Sequence, residues 1–307
     1  MSSADFPLPP TRDPAEPDIM DLCSDDFARF EEYGPVYEGV GRLAAFYMPV
    51  AAWKADYVVE DDQLQINLAR YRCEAAVDSD RWILEETFGT ASTFLPAGSH
   101  FRGRCDPHAL GDNVIMRLPR GRFDQAAEVA GLPPHAGAYA WGVASERLTQ
   151  IGAALRTAML EGARDRYDPL RIETLIEDTV SAFVDALAMR FGRTPRKGGL
   201  TTLQLRRVIQ RIEANTSMPV SLDELAAQAG LSQHHFARQF RETTLQSPYA
   251  FVLEHRLSKA IGLLRYTGVR LAEIALSCGF ADQAHFTKQF KKRIGVTPHH
   301  YRRVVSI

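Results

Sequence analysis

Two stretches near the carboxyl end repeat each other, and the repetition restricts the fold more than any other feature. Residues 225–240 read LAAQAGLSQHHFARQF and residues 274–290 read IALSCGFADQAHFTKQF. Leu225, Ala226 and Gly230 align with Ile274, Ala275 and Gly279. After the glycine the second copy carries one extra residue. Then His235-Phe236 aligns with His285-Phe286, and Gln239-Phe240-Arg241 with Gln289-Phe290-Lys291. Each copy spells two helices joined by a tight turn. A small residue (Ala226, Ala275) stands where a second helix must cross closely. A glycine follows where the chain leaves the first helix with positive φ. Leu231 or Phe280 plugs the corner. The second helix then turns Phe236 and Phe240, or Phe286 and Phe290, to one face, four residues apart. Ser221, three residues before Glu224, has capping-box spacing for the start of the first copy.

Helix-turn-helix units of this kind place the second helix in the DNA major groove. At this spacing the segment resembles the DNA-binding domain of the AraC/XylS family of bacterial transcription regulators. The likeness covers about the last hundred residues. It includes Gly279-Phe280, the run from Phe286 to Lys292, and Gly295-Val296-Thr297-Pro298 ahead of Tyr301-Arg302. Pro248 repeats Pro298 and opens a connecting helix, Pro248–Tyr266. The resemblance implies a domain over 203–307, with helix-turn-helix units at 222–243 and 271–293. A rigid spacer would hold both on one face of the duplex, about one turn (roughly 34 Å) apart.

The inward phenylalanines fix what faces outward. On the first reading helix these are His234, Ala237, Arg238 and Arg241; on the second, Gln283, Ala284, Thr287 and Lys288. Arg238 suits a bidentate contact to guanine and Gln283 paired hydrogen bonds to adenine; His234 and Thr287 suit base edges or phosphate. These positions match those with which the family reads bases. Ala237 and Ala284 depart from the long polar residues of some relatives, which points to methyl contacts or shape readout. Arg241, Arg256, Lys291, Lys292 and Arg302 are candidate phosphate contacts, together with Arg293 and Arg303, with a solvated charge as the alternative for each. His235 and His285 precede the core phenylalanines and read as structural.

The net charge of −2 hides a split that agrees with DNA binding. Residues 203–307 hold 15 Lys+Arg against 7 Asp+Glu, a net +8, which leaves −10 on residues 1–202. A basic module joined to an acidic one is expected where one end meets phosphate.

Residues 1–18 contain five prolines and little to bury, and read as a flexible arm. Residues 19–191 read as a sensor and dimerisation domain. Short runs at Leu43–Pro49, Gln63–Ala69, Glu74–Val77, Trp82–Leu84, Ser92–Leu95 and Asn113–Leu118 are strand-like, broken by Gly, Pro, Asp and Ser. They predict an antiparallel β barrel or jelly roll. Phe94–His100 and Asn113–Phe123 resemble the turn and the closing strand of a cupin-like sensor of AraC relatives. Two helices follow, the first capped by Ser145, the second opened by Asp168-Pro169. Their stripes cover the sheet or pair with a second subunit. Residues 192–202 form a Gly/Pro-rich polar linker. The fold class expected is thus α+β and multidomain.

Phe46, Trp53, Trp82, Phe94 and His100 are candidates for an effector pocket, with a filled barrel core as the alternative. The metal-binding cupin pattern needs His-x-His and a third histidine. This half offers only the dispersed His100, His108 and His135, so no metal and no cofactor are expected. There is no CxxC pair, no GxSxG elbow and no Cys/His nucleophile pattern. With no signal-peptide pattern and no run of about 20 apolar residues, a cytoplasmic protein is expected.

The function expected is a sequence-specific transcription regulator, an activator by resemblance. Its partners would be double-stranded promoter DNA, RNA polymerase, a small-molecule effector and a second copy of itself. The alternatives are an effector-independent DNA-binding regulator and, remotely, a cupin-type enzyme.

Overall fold

The computed structural model describes residues 19–22, 30–31, 33–49, 52–87, 89–105, 112–133, 140–163, 166–191, 199–214, 220–244 and 246–305. The expected arm at 1–18, most of the linker (192–198), His108 and His135 lie outside them.

The amino-terminal strands are β1 (Ile19–Leu22), β2 (Val36–Glu38), β3 (Ala44–Met48), β4 (Ala52–Val58), β5 (Asp62–Asn67), β6 (Tyr71–Val77), β7 (Ile83–Thr87), β8 (Ala91–Leu95), β9 (His100–Cys105), β10 (Asn113–Leu118) and β11 (Ala140–Val143). They make a five-stranded sheet, β1-β4-β9-β6-β7, and a six-stranded sheet, β11-β8-β5-β10-β3-β2. Pairing is antiparallel as expected, except that β1 runs parallel to β4. The sequence reading did not single out β4 and β9. Both alternate, but their outward positions (Lys54, Asp56, Arg102, Arg104) are charged, so neither looks apolar on average.

Pairing fixes which side chains enter the sandwich, because residues directly opposite share a face. Phe46 pairs with Ile115, and Trp53 with Cys105. These join Met48, Tyr71, Cys73 and Phe101 in the core between the sheets. On the six-stranded sheet the opposite face carries Leu64, Ile66, Phe94, Val114 and Met116. Three helices cover that face: α1 (Arg122–Val129), α2 (Glu146–Gly162) and α3 (Pro169–Phe191). Ser145 caps α2, accepting from the Leu148 amide at 3.1 Å, and its expected stripe of Leu148, Ile151, Leu155, Ala158 and Met159 is buried. Helix α1 replaces the simple strand exit expected after Leu118. It is short and opened by the left-handed Gly121 without a side-chain cap, so it left no local signature.

The carboxyl-terminal helices are α4 (Thr202–Glu213), α5 (Leu222–Ala229), α6 (Gln233–Thr244), α7 (Pro248–Tyr266), α8 (Leu271–Ser277), α9 (Gln283–Ile294) and α10 (Pro298–Val305). Their hydrophobic interior is divided. The first unit keeps its own core of Leu205, Val208, Leu225, Phe236, Phe240 and Phe251. Leu257, Ile261, Ile274, Phe286, Phe290 and Tyr301 instead join one continuous core with α2, α3 and the six-stranded sheet. Burying each such Phe stabilises by ~1.5–3 kcal/mol, so this shared core is a substantial adhesive between the two halves.

Candidate nucleic-acid interface

In the first unit Gly230 ends α5 with φ +67 and Ala226 is buried at the crossing with α6. Ser221 accepts from the Glu224 amide at 3.2 Å, but the Glu224 carboxylate turns to Arg211 at 2.9 Å, so half of the expected capping box forms. In the second unit Gly279 has φ +77 and Phe280 fills the corner against Phe286, their ring centroids 5.1 Å apart. The extra residue of the second copy lets Asp282 cap α9; its carboxylate accepts from the His285 amide at 2.7 Å.

Phe236 and Phe240 of α6, like Phe286 and Phe290 of α9, are fully buried. That anchoring turns the candidate reading residues outward. His234, Arg238 and Arg241 are exposed on α6, with Ala237 half-buried between them; Gln283, Ala284 and Lys288 are exposed on α9, with Thr287 half-buried. Arg238 lies 4.0 Å from Glu242 one turn on, an exposed pair too weak to withhold it from DNA. Over α9 an open hollow of about 830 Å³ is lined by Gln283, Ala284, Thr287, Lys288, Lys291 and Lys292. The candidates on each helix thus share one face.

The candidate phosphate contacts divide. Arg241, Lys291 and Lys292 are exposed. Arg256 also donates to the Gly279 carbonyl at 2.8 Å, and Arg302 to the Val269 carbonyl at 2.6 Å. Both therefore brace the second unit, Arg256 at its turn and Arg302 at the entry to α8. His285 packs edge-on against Phe280, as a structural residue would, whereas His235 is exposed.

The five effector-pocket candidates are not brought together. Phe46 and Trp53 lie in the sandwich core, and Phe94 on the other face of its sheet, stacked on Phe123. Trp82 is exposed on the outside of the five-stranded sheet, beneath Arg102 and Arg104. His100 is also on the outside, 2.7 Å from Asp56. These positions part because pleating sends neighbours to opposite faces, which an inventory of aromatics does not register.

Sequence reasoning missed the polar side of the sandwich interior. Asn67 and Asn113 pair across β5 and β10, and Glu85 pairs with Cys73 across β6 and β7. All are buried. Burial pushes the Glu85 carboxyl up to about 7. Both amide atoms of Asn113, the Gln63 amide nitrogen, one Glu85 oxygen and the Trp53 indole N–H have no acceptor or donor among the described residues. Polar groups within alternating strands were the available signal. No group of three or more His, Cys, Asp or Glu among the described residues could hold a metal, and no described helix is long and apolar enough to cross a membrane.

The helix-turn-helix domain family matches residues 225–304. The Right origin-binding protein of Escherichia coli K12 is 40% identical over 92 residues, covering 30% of this chain and 32% of that protein. The HTH-type transcriptional regulator GbdR of Pseudomonas aeruginosa is 35% identical over 108 residues, covering 34% of this chain and 29% of its own. Among solved structures, ToxT from Vibrio cholerae covers 89% of this chain and all of its own at 12% identity and a TM-score of 0.35. The chain thus matches about a third of the length of these curated relatives.

Proposed function

We propose that this chain, whose residues 225–304 are an AraC-type helix-turn-helix domain, is a sequence-specific transcription regulator that reads DNA with α6 and α9. One observation carries the reading: both helices bury a Phe pair four residues apart and expose a side-chain set suited to base edges. His234, Ala237 and Arg238 would face bases on one groove, and Gln283, Ala284, Thr287 and Lys288 on the next. Arg241, Lys291 and Lys292 would hold phosphates and set the salt dependence. The amino-terminal half would bind a small effector and pair two copies, biasing an equilibrium between domain arrangements, with RNA polymerase as the downstream partner. The Asn113 amide, the Gln63 nitrogen, the Trp53 indole N–H and one Glu85 oxygen, buried without a partner among the described residues, support a polar effector held between the sheets, since buried polar atoms are normally paired.

Duplexes selected from a random pool by the full chain test the reading. The expected footprint covers two successive major-groove segments. Arg238→Ala should weaken binding to the selected duplex by ~1–3 kcal/mol and relax preference at one base pair. Equal loss on every duplex would reassign Arg238 to phosphate, and indifference of the wild-type chain to sequence would defeat the proposal.

A further inference from the structure

The last turn of α9 is completed by the other half of the molecule. The final carbonyls of a helix have no partner within it. The Lys291 carbonyl accepts from the Gly295 amide at 2.9 Å, but those of Arg293 and Ile294 lie beyond that bond. The Arg156 guanidinium of α2 donates to the Arg293 carbonyl. Next to it the Thr157 hydroxyl is shared between the Ala153 carbonyl at 2.9 Å and the Ile294 carbonyl at 3.3 Å. Arg156 is 1% exposed and is held from behind by the buried carboxylate of Asp112. A cation at a helix carboxyl end also meets the negative pole of the dipole.

Gly295 has φ +99, and a Cβ there would overlap Thr157. Arg293 itself donates to the Leu68 carbonyl at 3.4 Å and faces Glu254 of α7 at 3.3 Å. Lys291 and Lys292 sit in the same turn, and none of these bonds covers the reading face.

We propose that Arg156, backed by Asp112, is a positioning residue for DNA recognition: the amino-terminal half caps the second reading helix and thereby fixes where Lys291 and Lys292 meet the backbone. Among the described residues no side chain of the amino-terminal half donates to a carbonyl of α6, whose last turn is held by the Thr244 hydroxyl on the Phe240 carbonyl and by its own core. Losing the Arg156 bond would then loosen the second reading head and leave the first on its own core. The inference rests on α9 being a reading helix, but its capping step is measurable without DNA.

The test uses the full chain with Arg156→Met combined with Asp112→Asn, which removes both buried charges together and so avoids an orphaned ion. Hydrogen exchange of peptides spanning 288–297 should speed up by about tenfold, the population change from losing one hydrogen bond to a charged group, while α6 is unaffected. On a duplex selected by the wild-type chain, protection should fade over one half of the footprint only. Arg156→Lys, which keeps a cation but not the fork, should fall between wild type and the double variant in both readouts. It decides the matter if the double variant does not fold. Unchanged exchange at 288–297, or equal acceleration over both units, overturns the capping role. Faster exchange with a footprint weakened evenly over both halves overturns the link to the phosphate-contacting lysines. If the wild-type chain selects no sequence, the proposed function fails and the exchange result still stands on its own.

Discussion

Replacing Arg265 by Met should make the protein more stable, although it removes a charged residue from the basic half. Arg265 lies in the last turn of α7, 2% exposed. None of its three guanidinium nitrogens has an acceptor among the described residues, and each is sealed from solvent. Its visible compensation is the Tyr266 ring, 5.3 Å from the guanidinium carbon. Replacing buried ionic groups by apolar ones of similar volume commonly gains ~1–4 kcal/mol. The cation–π contact is desolvated, so losing it returns ~2 kcal/mol of that. Methionine keeps the aliphatic stem packed and adapts to the space of the head group. The net expectation is a gain of up to ~2 kcal/mol, which at ~2–4 °C per kcal/mol raises the melting midpoint by up to ~8 °C. Thermal unfolding of wild type and variant in the same low-salt buffer measures it. A midpoint that stays put or falls would refute the reasoning, because it would mean that the guanidinium finds an anionic partner in solution. A phosphate-dependent rise in the wild-type midpoint, absent from the variant, would identify that partner as an anion.

Two further outcomes follow from buried polar groups. Burial raises the Glu85 carboxyl from 4.5 to about 7, so between those values the native chain holds a proton that the unfolded chain has shed. Stability should therefore fall as pH rises from about 4.5 to 7, by ~3 kcal/mol in all, and Glu85→Gln should flatten that slope in urea titrations at a series of pH values. An unchanged slope in the variant would assign the pH dependence elsewhere. The second outcome concerns the join between the halves, where the Tyr47 and Tyr301 hydroxyls meet at 2.9 Å, both buried. Tyr47→Phe or Tyr301→Phe alone should cost ~1–3 kcal/mol by orphaning the other hydroxyl, and the double variant less than the sum. Strictly additive costs in denaturant melts would show that the two hydroxyls do not interact.

Residues 225–240 and 274–290 disclosed their structure because all their determinants are local. The Ala at each crossing, the glycine at positive φ and the Phe pair four apart each act within one or two turns of chain. The outward faces of α6 and α9 follow from the same spacing. Strands β5 and β10 were legible for a related reason: polar and apolar residues alternate along β5, and Asn113–Leu118 is a compact apolar run. Legibility ended where a residue's role depends on a distant partner. Nothing local in the sequence announces that Arg256 and Arg302, expected at phosphates, also donate to backbone carbonyls. Their carbonyl partners, Gly279 and Val269, lie 23 and 33 residues away.

By itself the sequence determined two helix-turn-helix units, the sides of α6 and α9 that face outward, and a basic carboxyl-terminal stretch following an acidic one. Periodicity, capping and glycine placement act over a few residues and need no fold to be read. The tertiary structure alone decided that the second unit shares its core with the amino-terminal half, and that Arg156 closes a helix 137 residues farther on. Such contacts exist only once hydrophobic burial has brought remote segments together, because a buried guanidinium binds whichever carbonyl packing presents to it.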